Sequence, residues 1–231
     1  MGAKVILQRT IAGVLYLWGI LFASYVGMTV LKEKILYFTE QGYLVCFIGI
    51  CIPIGIATFL LVLSMQEAEK RFRLMKVSVL TLFIVYDVLL INILFRGFRQ
   101  FHAVHTVSMK EYFNWSVNYI PFKTIGNYVQ SIFNHSNSKS IIVENLLGNL
   151  LLFAPMGILL PCIFQRFRNF KIIAIIMFLV LVCIEIAQFL TQTGRSDIDD
   201  VILNFIGVIM LYCLWNLKII QKMLRKIYVL K

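Results

Sequence analysis

Acidic side chains are scarce in this sequence, 11 against 22 Lys and Arg, and five of them gather late in the chain: Glu144, Glu185, Asp197, Asp199 and Asp200. Amides stand beside them. Asn145, Gly148 and Asn149 share one helical face at i, i+3 and i+4, and Glu185 and Gln188 lie one turn apart. The string Gly194-Arg195-Ser196-Asp197-Ile198-Asp199-Asp200 continues at helical spacing into Asn204 and Gly207. Residues of these types bind polar ligands: carboxylates accept hydrogen bonds from hydroxyl or amine donors, Arg195 suits an anionic group, and Asn and Gln amides orient polar atoms. The same acids, Glu185, Asp197, Asp199 and Asp200, could instead be catalytic, one protonated and one ionised, or two holding a divalent ion.

Plainer readings stand beside these. Ser196 resembles a helix N-cap, and aspartates in a first turn suit the positive end of the helix dipole, although this accounts for only one or two of the three. Gly148 suits close helix packing, with the amides bonding across to neighbours. Glu185 paired with Arg195 would be a structural ion pair. No nucleophile motif or phosphate-binding loop accompanies the acids, so catalysis is the lesser expectation. His102 and His105 lack companion ligands at metal-binding spacing, so no metal centre and no cofactor are expected.

Positioning these groups falls to membrane helices. The 231 residues are 60% hydrophobic and 14% charged, with a mean hydropathy of +0.86, whereas soluble proteins run at about half apolar and a quarter charged. So large an apolar excess belongs against hydrocarbon, and the predicted class is an all-α, polytopic integral membrane protein. Six runs are long enough to span: Ile11 to Leu31, Tyr43 to Met65, Val77 to Phe95, Ile141 to Phe164, Ile172 to Leu190 and Val201 to Leu217. Pro155 and Pro161 predict a kink in the fourth. The first run is too long for a leader core and is expected to remain as a span. The five cysteines lie in apolar runs without Cys-x-x-Cys spacing and read as packing residues.

A net charge of +11 would suggest nucleic acid in a soluble protein; here the basic residues sit in short segments between spans and act as topology signals. Placing the N-terminus inside puts Lys4 and Arg9, the four basic residues of 70–76, Arg166, Arg168 and Lys171, and the five from Lys218 onward on the cytoplasmic face, fourteen of the 22. Both termini are therefore expected in the cytoplasm. Residues 1–95 would hold three spans, 96–140 an extracytoplasmic loop, 118–217 a core with three further spans, and 218–231 a basic cytoplasmic tail on anionic lipid. Asp87, alone in its span, suits an inter-helix hydrogen bond.

This topology starts the fourth span, ends the fifth and starts the sixth on one outer face. Asn145, Asn149, Glu185, Gln188, Arg195, Asp197, Asp199, Asp200 and Asn204 should therefore line one pocket near the headgroups, with Gly148, Pro155, Gly157, Pro161 and Gly207 in structural roles.

The order of these motifs carries a resemblance. Asn118-Tyr119-Ile120-Pro121-Phe122, Asn145-Leu146-Leu147-Gly148-Asn149, Phe153-Ala154-Pro155-Met156-Gly157 with Pro161, Glu185-Ile186-Ala187-Gln188, and Gly194 through Asp200 with Asn204 and Gly207 resemble the VanZ-like membrane proteins over roughly residues 118 to 210. The resemblance implies a multi-pass protein of the bacterial plasma membrane, similar to proteins associated with resistance to lipid-bearing glycopeptides such as teicoplanin, and it implies no reaction. The expected function is an accessory envelope protein whose outer pocket engages a lipid-linked cell-wall precursor or a lipoglycopeptide. Its expected partners are that amphiphile and membrane lipids, with no nucleic acid. A membrane enzyme acting on a lipid headgroup is the alternative, and a transporter or flippase ranks third because the polar groups occupy one side of the bilayer.

Overall fold

Apolar runs of this length satisfy their backbone in lipid only as helices, and the computed structural model of the chain consists almost entirely of them. It describes residues 2–33, 40–95, 108–133 and 139–230. The chain forms two units, Met1–Ile93 with Gln221–Lys231, and Leu94–Ile220.

The first unit contains α1 (Ala3–Glu33), α2 (Glu40–Ser64) and α3 (Ala68–Leu94). Its buried polar groups satisfy one another, as hydrocarbon surroundings require. Thr58 Oγ1 lies 2.8 Å from the Ile54 carbonyl, 2.7 Å from Ser78 Oγ and 2.6 Å from the Tyr16 hydroxyl, which ties all three helices together. Arg71 donates from Nε to the Met65 carbonyl at 2.8 Å, just past the end of α2, and from Nη1 to the Tyr228 hydroxyl at 2.8 Å. The tail after Gln221 thus packs with this unit, whereas the sequence reading makes it a separate basic segment. α3 begins at Ala68, well before the expected Val77, because the intervening Glu, Lys and Arg residues are good helix formers that prolong a span beyond the bilayer.

The second unit opens with α4 (Met109–Ser116), a two-residue strand β1 (Val117–Asn118) and α5 (Lys123–Phe133). A capping box of Ser108 and Glu111 starts α4. Then come α6 (Lys139–Leu152), α7 (Met156–Ile163), a 3-10 turn at Gln165–Arg168, α8 (Phe170–Thr191), β2 (Ser196–Asp197) and α9 (Ile198–Trp215); α10 (Lys218–Lys226), whose apolar and basic faces are strongly segregated, starts here and from Gln221 belongs to the first unit. β1 and β2 pair in parallel, Val117 opposite Ser196 and Asn118 opposite Asp197. Within 96–140, expected as one extracytoplasmic loop, residues 108–133 form two helices and a strand, and 139–140 already belong to α6. His102 and His105 lie outside the described residues.

Among the described residues five stretches are long and apolar enough to cross a membrane: Ala3–Met28, Ala68–Leu94, Asn145–Ile163, Phe170–Thr191 and Ile198–Trp215, while Ile48–Ser64 in α2 is apolar but shorter. The chain is an all-α polytopic membrane protein. Its Asn145–Ile163 stretch is two helices rather than one kinked helix. The ladder breaks over Phe153-Ala154-Pro155, since Pro155 offers no N–H, and short-range bonds bridge the gap: Ala154 N–H to Leu151 O at 3.3 Å, Met156 N–H to Phe153 O at 3.0 Å and Gly157 N–H to Ala154 O at 2.9 Å. Pro161 sits inside α7 without ending it.

α9 lies against α6, α7 and α8, and two glycines set its distance. A Cβ on Gly207 would come within 1.8 Å of the Leu150 carbonyl oxygen, and one on Gly157 within 2.2 Å of the Val208 carbonyl oxygen. Gly148, the expected close-packing residue, faces open space, with no described atom within 4 Å of a Cβ there. The expectation fails because the α6 face that meets α9 runs through Leu150. Gly207→Ala should destabilise the protein by about 1–3 kcal/mol through overpacking, read as a lower thermal midpoint in detergent, while Gly148→Ala should leave the midpoint unchanged.

Candidate functional site

A carboxylate taken out of water needs hydrogen bonds to stay ionised, and the three aspartates at the start of α9 meet this demand differently. Asp199 is fully buried. Its Oδ1 accepts the Phe122 N–H at 2.5 Å, and its Oδ2 accepts the N–H groups of Thr124 at 2.8 Å and Ile125 at 3.0 Å. These donors are at the N-terminus of α5, whose positive dipole end adds to the attraction. Asp199 therefore caps a helix distant in sequence. Phe122 takes φ 63° there, a left-handed conformation that side chains other than Gly or Asn seldom adopt.

Asp197 joins the same structure. Its Oδ1 accepts from Asn118 Nδ2 at 2.8 Å and from the Asp199 N–H at 2.9 Å, the second bond making it the N-cap of α9. Its Oδ2 accepts the Thr124 hydroxyl. Ser196, the cap suggested by sequence, lies one residue too early, in β2. Tyr112 of α4 closes the arrangement by donating to the Gly194 carbonyl, with its ring against Phe189 at 5.7 Å between centroids.

Glu185, Asp200, Asn149 and Asn204 form a second tier. Glu185 Oε2 accepts the Asp197 N–H at 3.0 Å, so its partner is a backbone donor rather than Arg195. Asp200 Oδ1 accepts from Asn149 Nδ2, which links α9 to α6. Asn204 Nδ2 donates to the Asp200 carbonyl at 2.8 Å, and its buried Oδ1 has no hydrogen-bond partner among the described residues. Glu185 and Asp200 are only half buried.

The structure thus brings together Asn149, Glu185, Asp197, Asp199, Asp200 and Asn204 from three helices. The other expected members stand apart. Asn145 and Arg195 are exposed, and no ion pair involves Arg195 among the described residues. Gln188 Nε2 donates to the Leu94 carbonyl at 3.0 Å. The Glu144 side chain lies outside the described ones. Thr124 and Tyr112 carry no functional signal of their own in the sequence, and Asn118 stands out there only within the Asn118–Phe122 motif. Asn118 and Thr124 bracket the Pro121 turn, and that spacing was the available signal.

No group of three or more His, Cys, Asp or Glu suited to a metal ion occurs among the described residues. Glu185, Asp200 and the Asn204 carbonyl oxygen offer acceptors, an arrangement matched to ammonium or hydroxyl donors.

The sequence model of the VanZ/LLP1 family matches residues 81–220, a range that contains every residue of this cluster and most of α3. Protein VanZ of Enterococcus faecium is 29% identical over 126 residues, covering 53% of this chain and 68% of that protein. No solved structure matches the chain.

If Asp199 supports the N-terminus of α5, then Asp199→Ala leaves three partly buried N–H groups without their acceptor, at about 1 kcal/mol each. Amide hydrogen exchange at Phe122, Thr124 and Ile125 should accelerate by at least about tenfold, and Glu185→Gln should leave those three rates near their original values.

Proposed function

The chain belongs to the VanZ/LLP1 family, and from that premise we propose that it is an accessory protein of the bacterial plasma membrane that lowers sensitivity to lipoglycopeptides such as teicoplanin. Its Glu185, Asp200, Asn149 and Asn204 tier would engage an amphiphile, either the drug or a lipid-linked cell-wall precursor. The observation that carries this reading is the division of labour among the acids. Asp197 and Asp199 spend their oxygens on the chain itself, whereas Glu185 and Asp200 stay partly exposed beside an unpartnered Asn204 Oδ1. Sugar hydroxyls and protonated amines, the donors such amphiphiles carry, suit three neighbouring acceptors.

Charge along α8 supports the orientation. Arg166, Arg168 and Lys171 stand at its start and the acids follow its end, so the basic end faces the cytoplasm and the acidic cluster faces outward by the positive-inside rule. Six spans with both termini cytoplasmic complete this topology. The pocket then opens at the outer leaflet, where both proposed ligands reside. In this reading Arg195, Gln188 and Asn145 lie at its rim, where exposure leaves Arg195 available to an anionic group.

Glu185→Gln and Asp200→Asn each replace a carboxyl oxygen with an amide NH2, removing an acceptor while keeping shape. Either should cost about 1.5–3 kcal/mol of a charge-assisted hydrogen bond, roughly tenfold or more in ligand affinity. The measurement is the teicoplanin concentration that inhibits a host expressing each variant at wild-type abundance. Inhibition should fall to the concentration seen without the protein, and undiminished protection would rule this tier out. Mass spectrometry of lipid extracts from the same cells separates binding from chemistry, because a protein-dependent modified lipid would replace this reading with the enzymatic one.

A further inference from the structure

The segment between α4 and α5 displays apolar side chains where a water-soluble surface would hide them. Tyr119 is 73% exposed, Phe122 63%, Trp115 51% and Ile120 47%. The segment is also firmly held. Tyr112 and Phe113 of α4 pack against Phe189 in the last turn of α8, the first ring tilted and the second edge-on, at 5.7 and 6.0 Å between ring centroids. The other side is fixed by the three N–H groups that Phe122, Thr124 and Ile125 donate to Asp199 in the first turn of α9.

These two attachments determine depth. Both helices are long and apolar enough to cross a membrane, so the segment lies at the level where α8 leaves the bilayer and α9 enters it. Aromatic side chains with a polar edge favour that level, and lysines there reach lipid phosphates. Lys110 and Lys123, both exposed, flank the aromatic residues. Packing accounts for Tyr112 and Ser116, the buried face of α4, for Phe113 against Phe189 and for one edge of Trp115, which meets the Tyr112 ring at 5.0 Å; Tyr119, Ile120 and Phe122 remain exposed beyond these contacts. The left-handed φ of Phe122 keeps its side chain outside the protein despite the backbone cost.

We propose that residues 109–125 form a membrane-interface anchor in which Trp115, Tyr119, Ile120 and Phe122 insert into the headgroup boundary of the bilayer, with Lys110 and Lys123 against lipid phosphates. This anchor does not depend on what the acidic tier binds. It fixes the mouth of the α8–α9 turn at a set depth in the leaflet.

The test uses the full chain in nanodiscs containing anionic lipid, with Trp18, Trp115 and Trp215 replaced by Phe and a reporter introduced as Phe122→Trp. Lipids brominated near the headgroup end of the acyl chain should quench its emission more strongly than lipids brominated near the chain terminus. Unquenched, water-like emission would overturn the proposal, and so would unquenched but blue-shifted emission, which would put a protein surface over the segment. Should the tryptophan substitutions prevent folding, a nitroxide at Tyr119→Cys in a chain with its five native cysteines changed to Ala reports the same depth. Greater accessibility to oxygen than to a water-soluble nickel chelate supports insertion, and the reverse excludes it.

Discussion

A buried carboxylate makes a strong demand on its surroundings, and in the second unit one such demand organises nearly everything polar. Asp199 takes the backbone N–H groups of Phe122, Thr124 and Ile125. Those bonds hold the start of α5 and force Phe122 into its left-handed conformation. They also bring Asn118 and Thr124 to Asp197, whose own N–H reaches Glu185. Glu185 is thus oriented by a residue that is itself held in place through the Asp199 anchorage. Removing Asp199 or Asp197 leaves several donors without their acceptor at once, which couples these two residues to the α5 start.

The lipid environment explains why the remaining polar groups are arranged so sparingly. In the first unit Tyr16, Thr58 and Ser78 bond within one small knot, and Arg71 spends its donors on Met65 and Tyr228. Polar groups that the fold consumes in this way are structural. Against that background Glu185 and Asp200 differ in staying partly exposed, and Asn204 in keeping a buried Oδ1 without a hydrogen-bond partner among the described residues.

Much of this was legible in the sequence, for identifiable reasons. Hydrocarbon tolerates only long apolar helices, so hydropathy alone pointed to a helical polytopic membrane protein, and helical spacing put an amide at 149 and an acid at 200 on faces that meet. What remained hidden depended on atomic contact. A two-residue parallel strand has no periodicity, so the pairing of Asn118 with Asp197 could not be inferred from either segment. Gly148 and Gly207 look alike in a string, and only the rotation of α6 about its axis brings Leu150 rather than Gly148 to α9. Spacing likewise shows that Asp197, Asp199 and Asp200 are neighbours but not that two of them point toward a segment far behind them.

That distance along the chain has a bearing on how the protein is made. Asp199 meets donors 74 to 77 positions earlier, with the Asn145–Ile163 and Phe170–Thr191 stretches between them. A chain emerging from the ribosome in order has therefore already delivered residues 118–125 to the membrane before their partner is synthesised. Until two further hydrophobic stretches have been inserted and Asp199 has followed, the start of α5 must depend on water or lipid headgroups for its hydrogen bonds. Assembly of this region is consequently a late event in biogenesis, completed only after the Phe170–Thr191 stretch and Asp199 have both left the ribosome.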